Sequence, residues 1–252
     1  MSEIVATFSI AALDPETESL GVAVQSKFLA VGAVVPWARA GVGAVATQAM
    51  ANFNYGPRGL GLMAEGGTAE ETVEALISAD EGRDHRQLGV VDARGRAATF
   101  TGPECFDWAG GVTGEHYAAQ GNILVGPETV DAMARAYEGA EGDLAARILA
   151  ALDAGQEAGG DSRGQQSAAI VVERAGAEGL REPEQEDARR RAPGHDAPAT
   201  CRQPAMREIQ RQERERDEHQ WDPSPVREPL AHVRVVTVEQ AFREAEQTRN
   251  DW

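Results

Sequence analysis

Apolar and polar positions alternate with a period of two through residues 7–26. Phe8, Ile10 and Ala12 fall on one side of an extended chain, and Thr7, Ser9, Ala11 and Leu13 on the other. Asp14-Pro15-Glu16-Thr17-Glu18-Ser19 has turn composition, and Val22 and Val24 resume the phase. The pattern predicts a hairpin of strands Thr7–Leu13 and Leu20–Ser26. Val31–Val35 and Gly41–Thr47, nearly all small or β-branched, predict a second strand pair around Pro36–Ala40, with both faces covered. The polar stretch Thr47–Gly56 reads as a loop. A helix is expected from Pro57 to about Glu65, closed by Gly66-Gly67. Thr68-Ala69-Glu70-Glu71 forms a capping box for the next helix, with Val73, Leu76 and Ile77 on one face.

Gln87–Val91 and Arg96–Thr101 predict a hairpin through Asp92-Ala93-Arg94-Gly95, and Tyr117–Val125 a further strand. Pro127–Glu138 is helical in pattern, with Val130, Met133, Ala134 and Tyr137 inward. Asp143 caps another helix carrying Leu144, Ile148, Leu149 and Leu152, which Gly155 ends. A Gly-rich loop, residues 159–166, precedes the apolar strand Ser167–Arg174. Strand groups are thus followed by helix pairs, and hairpins dominate. This order predicts an α+β fold: two stacked, mainly antiparallel sheets between helical layers. Phe8, Ile10, Val22, Val24, Val34, Val45, Leu76, Val90, Ile123, Met133, Leu149 and Ile170 are the expected core. Gly41, Gly43 and Ala46 match a dinucleotide-binding spacing. No strand leads into them and no helix opens until Pro57, so they read as close backbone packing.

Composition changes near Ala177, where the charged fraction roughly doubles and Pro183, Pro193, Pro198, Pro204, Pro223, Pro225 and Pro229 interrupt the chain. Residues 1–176 form the expected domain. Residues 177–252 form an expected charged tail, disordered or weakly helical to 229, with a short strand and helix over 231–248. The net charge of −17 argues against nucleic acid and anionic membrane as partners, both of which bind basic patches. Apolar runs are too short for a membrane span, and the first ten residues lack a basic region followed by an apolar one. Cys105 and Cys201 make no metal-ligand spacing. A reduced cytoplasmic setting is expected, with no metal or cofactor.

Phosphate-loop, zinc-protease and nucleophile-elbow patterns are missing from the sequence. Hydroxyl, amide and lysine chemistry remains. Thr7, Ser9, Ser26, Lys27, Thr47, Gln48, Asn52, Asn54, Asn122, Asp161, Arg163 and Ser167 all fall at predicted strand ends or in neighbouring loops. Lys27 is the only lysine of 252 residues; the other basic residues are Arg. Arg stays protonated, whereas burial can tune Lys toward neutrality, so a retained Lys suggests a task of its own. The structural alternatives are plain: Thr7 and Ser9 as strand residues, Ser26-Lys27 as a solvated strand end, Asn52 and Asn54 as turn formers, Asp161 paired with Arg163.

Residues 7–52, then Tyr55-Gly56-Pro57-Arg58-Gly59-Leu60, Gln120-Gly121-Asn122-Ile123-Leu124 and Gly159–Ala169, resemble in order the DUF1028 family, grouped with the N-terminal-nucleophile (Ntn) hydrolases. The resemblance covers about residues 6–174 and implies a four-layer αββα sandwich. It implies Thr7 as a nucleophile at the chain's first position after removal of Met1–Ala6, assisted by Lys27, Ser26, Asp161 and Ser167. Gln48, Asn52, Asn54, Asn122 and Arg163 would bind substrate. Beyond Arg174, family members continue through a Gly/Tyr/Asp-rich segment, whereas this chain runs into Arg, Glu, Gln and Pro. The expected function is hydrolysis of a small amide or peptide; the alternative is a non-catalytic binding or structural module on the same fold. A homo-oligomer stays open.

Overall fold

The computed structural model describes residues 7–174. The expectations for residues 177–252, including the strand and helix over 231–248, lie outside the described residues. The elements are β1 (Thr7–Asp14), β2 (Ser19–Ser26), β3 (Pro36–Arg39), β4 (Gly43–Ala49), α1 (Tyr55–Ala64), α2 (Ala69–Ser78), β5 (Arg86–Asp92), β6 (Ala97–Thr101), β7 (Gly110–Gly114), β8 (Tyr117–Gly121), α3 (Glu128–Gly139), α4 (Leu144–Glu157) and β9 (Ser167–Glu173). They form a five-stranded sheet, β7-β8-β1-β2-β9, and a four-stranded sheet, β3-β4-β5-β6. Every pairing is antiparallel.

Three buried clusters define four layers. Phe8, Ile10 and Ala12 of β1 pack with Met133 and Tyr137 of α3 and Ile148 and Leu152 of α4. Ala11 and Leu13, on the opposite face of β1, pack with Val22 and Val24 of β2 and with Ala44, Ala46 and Val91 of the second sheet. Val45, Leu88 and Val90, on that sheet's outer face, pack with Leu60 and Met63 of α1 and Leu76 of α2. The order is helices, sheet, sheet, helices: the αββα sandwich. Period-two alternation in β1 sends its two apolar sets to different layers, which is why the strand is apolar on both faces.

Local signals were met where side chains dictate geometry. Thr68 Oγ1 accepts the Glu71 amide at 3.0 Å, and Glu71 Oε2 accepts the Thr68 amide at 2.9 Å. Asp143 Oδ1 caps α4 by accepting the Ala146 amide at 2.9 Å. Caps of this kind contribute about 1 kcal/mol each. Helix α4 continues two residues past Gly155, to Glu157, and turns out at Gly159, φ 119°.

Other expectations are corrected. The segment Val31–Val35 holds a 3-10 turn, Val31–Ala33, and the strand is Pro36–Arg39. Pro36 opens an edge strand, where its missing N–H costs no ladder bond. Helix α1 starts at Tyr55, before Pro57, and Gly56 lets it approach β3: a Cβ there would lie 2.2 Å from the Trp37 ring. The strand expected over Tyr117–Val125 stops at Gly121, because Ile123 takes a left-handed φ of 53°. Strand β7 went unpredicted; three glycines in Gly110–Gly114 hide it. Nine of the twelve expected core residues are buried, while Val34, Ile123 and Leu149 are partly exposed. Val35 and Leu124 are buried beside them, since the turns at 31–35 and 123 shift the inward phase by one residue.

Candidate functional site

One end of the sandwich carries hydroxyls and amides where the rest of the inter-sheet space carries Ala, Val and Leu. Register places them. Thr7 pairs with Ser26, and Ser26 with Ser167, so three hydroxyl residues cross β1, β2 and β9 in one row. Asn122 extends the row beyond β8 by donating its backbone N–H to the Thr7 carbonyl at 3.0 Å. In the facing sheet Gln48 pairs with Gln87, and Gln87 with Thr101. One step inward, Ser9 pairs with Gln120. Thr7, Ser9, Ser26, Gln48, Gln87, Gln120 and Asn122 are all buried.

These groups satisfy one another across the two sheets. Thr7 Oγ1 donates to Ser26 Oγ at 3.1 Å. Ser9 Oγ donates to Gln48 Oε1 at 2.6 Å and accepts from Gln120 Nε2 at 2.7 Å. Gln48 Nε2 donates to Gln87 Oε1 at 2.8 Å and to the Thr7 carbonyl at 3.3 Å. Gln87 Nε2 donates to Thr101 Oγ1 at 2.9 Å and to the Gly121 carbonyl at 2.7 Å. The Thr7 carbonyl is thus held by one donor from each sheet. Burying so many amides is tolerable only when they are paired, since an orphaned polar group costs roughly 1–3 kcal/mol. Two amide oxygens, Gln120 Oε1 and Asn122 Oδ1, are buried with no hydrogen-bond partner among the described residues. Gln120 fits because the residue facing it is Gly89; a Cβ there would lie 2.0 Å from Gln120 Oε1.

The loop 161–167 closes the row's β9 side. Asp161 is buried; its Oδ2 accepts the Lys27 amide at 3.2 Å, and its carboxylate takes Arg163 through Nε at 3.1 Å and a terminal nitrogen at 2.9 Å. Asp161 and Arg163 therefore pair, as the structural alternative held. Ser167 Oγ donates to the Phe28 carbonyl at 2.6 Å and accepts the Val31 amide at 3.1 Å, so it holds the chain after β2. Lys27 is exposed, one residue past the partner of Thr7, and its Nζ lies 3.4 Å from the Gln165 carbonyl.

Asn52 and Asn54 stand apart from this row. Asn52 Oδ1 accepts the Asn54 amide at 3.1 Å, and its Nδ2 donates to Asp80 Oδ2 at 3.0 Å. Asp80 also receives Tyr55 OH at 2.8 Å and Arg86 Nε at 2.9 Å. Burial alone would raise the Asp80 carboxyl, but hydrogen bonds from Arg86, Asn52, Tyr55 and the Gly82 amide outweigh it and hold it well below the usual carboxylate range. Burial and the bond to Asp80 push the Tyr55 phenol up. This network ties the loop before α1 to β5. Asn54 is exposed. The amide nitrogen of Asn122 is likewise engaged, donating to Gln87 Oε1 at 2.9 Å. Each of these amide nitrogens carries two hydrogens and uses one of them, on Asp80 for Asn52 and on Gln87 for Asn122; the Oδ1 of Asn122 is an acceptor.

Gln87 and Gln120 were missed from the sequence. The available signal was a long polar residue on an inward position, in phase with Gly89 and Val91 in one strand and Ala118 in the other. Among the described residues, no group of three or more His, Cys, Asp or Glu is placed to hold a metal ion, and no helix is long and apolar enough to cross a membrane.

The pattern of DUF1028, a family of unknown function, matches residues 7–198. A crystal structure from Silicibacter pomeroyi, a DUF1028 protein, is 37% identical and superposes with a TM-score of 0.63, covering 66% of this chain and 75% of that one. No curated protein matches the chain.

Proposed function

The chain belongs to the DUF1028 family, and we propose that it is an Ntn-type amide hydrolase whose nucleophile is Thr7. The observation that carries this reading is the position of Thr7. It is the first residue of β1, at the polar end of a two-sheet sandwich, with its hydroxyl on Ser26 and its carbonyl held from both sheets.

The chemistry proceeds in two stages. Thr7 Oγ1 first attacks the Ala6 carbonyl, the acyl group shifts from nitrogen to oxygen, and water hydrolyses the ester, freeing the Thr7 α-amine. The amine, with a reference pKa of about 7.7–8.0, then takes the Oγ1 proton as the oxygen attacks a substrate amide. That proton passes to the leaving amine as the C–N bond breaks, and a second water releases the acid. Ser26 orients the hydroxyl, and Asn122 Oδ1 offers an acceptor to an amide N–H. The exposed charge of Lys27 acts on Thr7 through a solvent-screened field.

Intact-mass measurement tests the first stage, with loss of Met1–Ala6 expected. Thr7→Ala should abolish both that loss and amide hydrolysis, whereas Lys27→Ala should lower kcat by about tenfold, the scale of a screened charge. A wild type that keeps residues 1–6 and still hydrolyses amides would rule out Thr7. The residues ahead of Thr7 favour a second reading, a binding module on the same fold. An uncleaved, inactive protein that binds an amide or peptide would support it.

A further inference from the structure

Gln120 Oε1 and Asn122 Oδ1, in the layer beside Thr7, are buried without a hydrogen-bond partner among the described residues. Orphaned buried acceptors are uncommon in folded proteins and call for a reason. The reason lies in the direction of the layer's bonds. Gln120 Nε2 donates to the Ser9 carbonyl at 3.3 Å. Gln87 Nε2 donates to the Gly110 and Gly121 carbonyls at 3.2 and 2.7 Å. Gln48 Nε2 gives one hydrogen to Gln87 Oε1 at 2.8 Å and shares the other between the Thr7 carbonyl at 3.3 Å and the Gln120 carbonyl at 3.4 Å. All five carbonyls belong to the five-stranded sheet. A backbone carbonyl only accepts, so each glutamine is fixed with its nitrogen toward that sheet. Ser9 fixes the same sense from the other end. Its Oγ accepts from Gln120 Nε2, so its one proton goes to Gln48 Oε1, at 2.6 Å. Unpaired oxygens are what a layer with this single polarity leaves behind.

We propose that Gln48 is the positioning residue of Thr7: from the four-stranded sheet it presents a donor to the Thr7 carbonyl and so fixes where the Thr7 hydroxyl points. The carbonyl carbon is bonded to the Cα that carries both the hydroxyl side chain and the amine nitrogen. Anchoring it therefore limits rotation at the reacting residue. The Asn122 amide supplies one anchor, at 3.0 Å along the same sheet, and Gln48 supplies the second from across the layer. This role differs from the substrate contact that the family resemblance implies for Gln48. Its side chain is fully buried, with Oε1 engaged by Ser9 and Nε2 by Gln87 as well as by Thr7. The consequence for rate rests on the amide-hydrolase reading of Thr7; the anchoring of its carbonyl does not.

Gln48→Met keeps the length of the side chain and removes the donor. In full-length protein made by cell-free synthesis and followed by intact mass, it should slow the release of Met1–Ala6 by about tenfold, the scale of one lost hydrogen bond. Hydrogen exchange supplies a readout that a general loss of stability would not move. The Asn122 amide, the other donor to the Thr7 carbonyl, should exchange about tenfold faster, while the Ile148 amide in α4 keeps its wild-type rate. Val130→Ala, a core truncation on α3 outside the layer, is the control and should leave the release rate unchanged. The wild type gives a reading that needs no variant: the Gln48 side-chain NH2 should exchange about a hundredfold or more slower than that of a free glutamine. Fast exchange at that group would overturn the proposal. So would wild-type release and Asn122 exchange in Gln48→Met, or an equal slowing of release by Val130→Ala. If the wild type keeps Met1–Ala6 and hydrolyses no amide, yet Gln48→Met speeds exchange at Asn122 and not at Ile148, the anchoring stands and the hydrolase reading falls. If the wild type releases Met1–Ala6 at a rate that Gln48→Met does not alter, the hydrolase reading stands and the positioning falls.

Discussion

Thr7 and Ser26 face each other across β1 and β2, and the hydroxyl of Thr7 donates to that of Ser26 at 3.1 Å in a fully buried setting. Ser167, the next residue in the row, uses its hydroxyl differently, on the Phe28 carbonyl and the Val31 amide. The two serines are therefore expected to separate in function. Ser26→Ala should lower kcat by about ten- to a hundredfold with KM little changed, at a stability cost of roughly 1 kcal/mol. Ser167→Ala should cost about 1–2 kcal/mol, with a smaller effect on kcat. Steady-state kinetics beside urea denaturation distinguish the two.

Gln87 is the hub of the buried amide layer, accepting from Gln48 and Asn122 and donating to Thr101 and the Gly121 carbonyl. Gln87→Leu keeps the approximate volume but removes every one of these partners. It is expected to destabilise the protein by about 2–4 kcal/mol, well above the loss for a single exposed hydrogen bond. Denaturant midpoints at unchanged slope would measure it; a loss below about 1 kcal/mol would mean the layer is not cooperative.

Gly89→Ala puts a methyl group 2.0 Å from Gln120 Oε1. Destabilisation of about 1–3 kcal/mol is expected from the overpacking. Gln120→Ala in the same chain should relieve that clash, so the double variant should be more stable than the sum of the single losses predicts. A double-mutant cycle by thermal or urea unfolding reads the coupling directly.

Two carboxyls are shifted in opposite directions and should leave opposite marks on stability against pH. Asp80 is held below its unfolded value of about 3.9, so its contribution is present above that pH and is lost as pH falls below it. Asp80→Asn should lower Tm near neutrality and flatten the acid limb of the curve. Burial pushes Glu173 up to about 7, above an unfolded value of about 4.3. Its contribution is present below that unfolded value and is lost as pH rises through the folded one. Glu173→Gln should therefore raise Tm at about pH 8 and change it little at about pH 4. Differential scanning calorimetry across this range checks both signs.

Much of the molecule was legible in one dimension because local chemistry decided it. Alternation of Phe8, Ile10 and Ala12 against Ala11 and Leu13 announced a strand covered on both faces, and the caps at Thr68 and Asp143 announced helix starts. The order of hairpins and helix pairs announced the layers. What failed locally failed where a tertiary contact overrode the pattern: Val31–Val35 looks like a strand but turns, because the chain there is held by Ser167 from a strand more than a hundred residues later. The row of Thr7, Ser26 and Ser167 depended on register, which period-two patterning implies only once the pairing partners are known. Gln48 and Gln87 met through the register of β4 and β5, and Gln120 joined them, through Ser9, only when the two sheets stacked. A buried amide gains nothing from its sequence neighbours, and its partners lie across the space between the layers, so only the tertiary structure could show that three glutamines on three strands form a single polar centre beside Thr7.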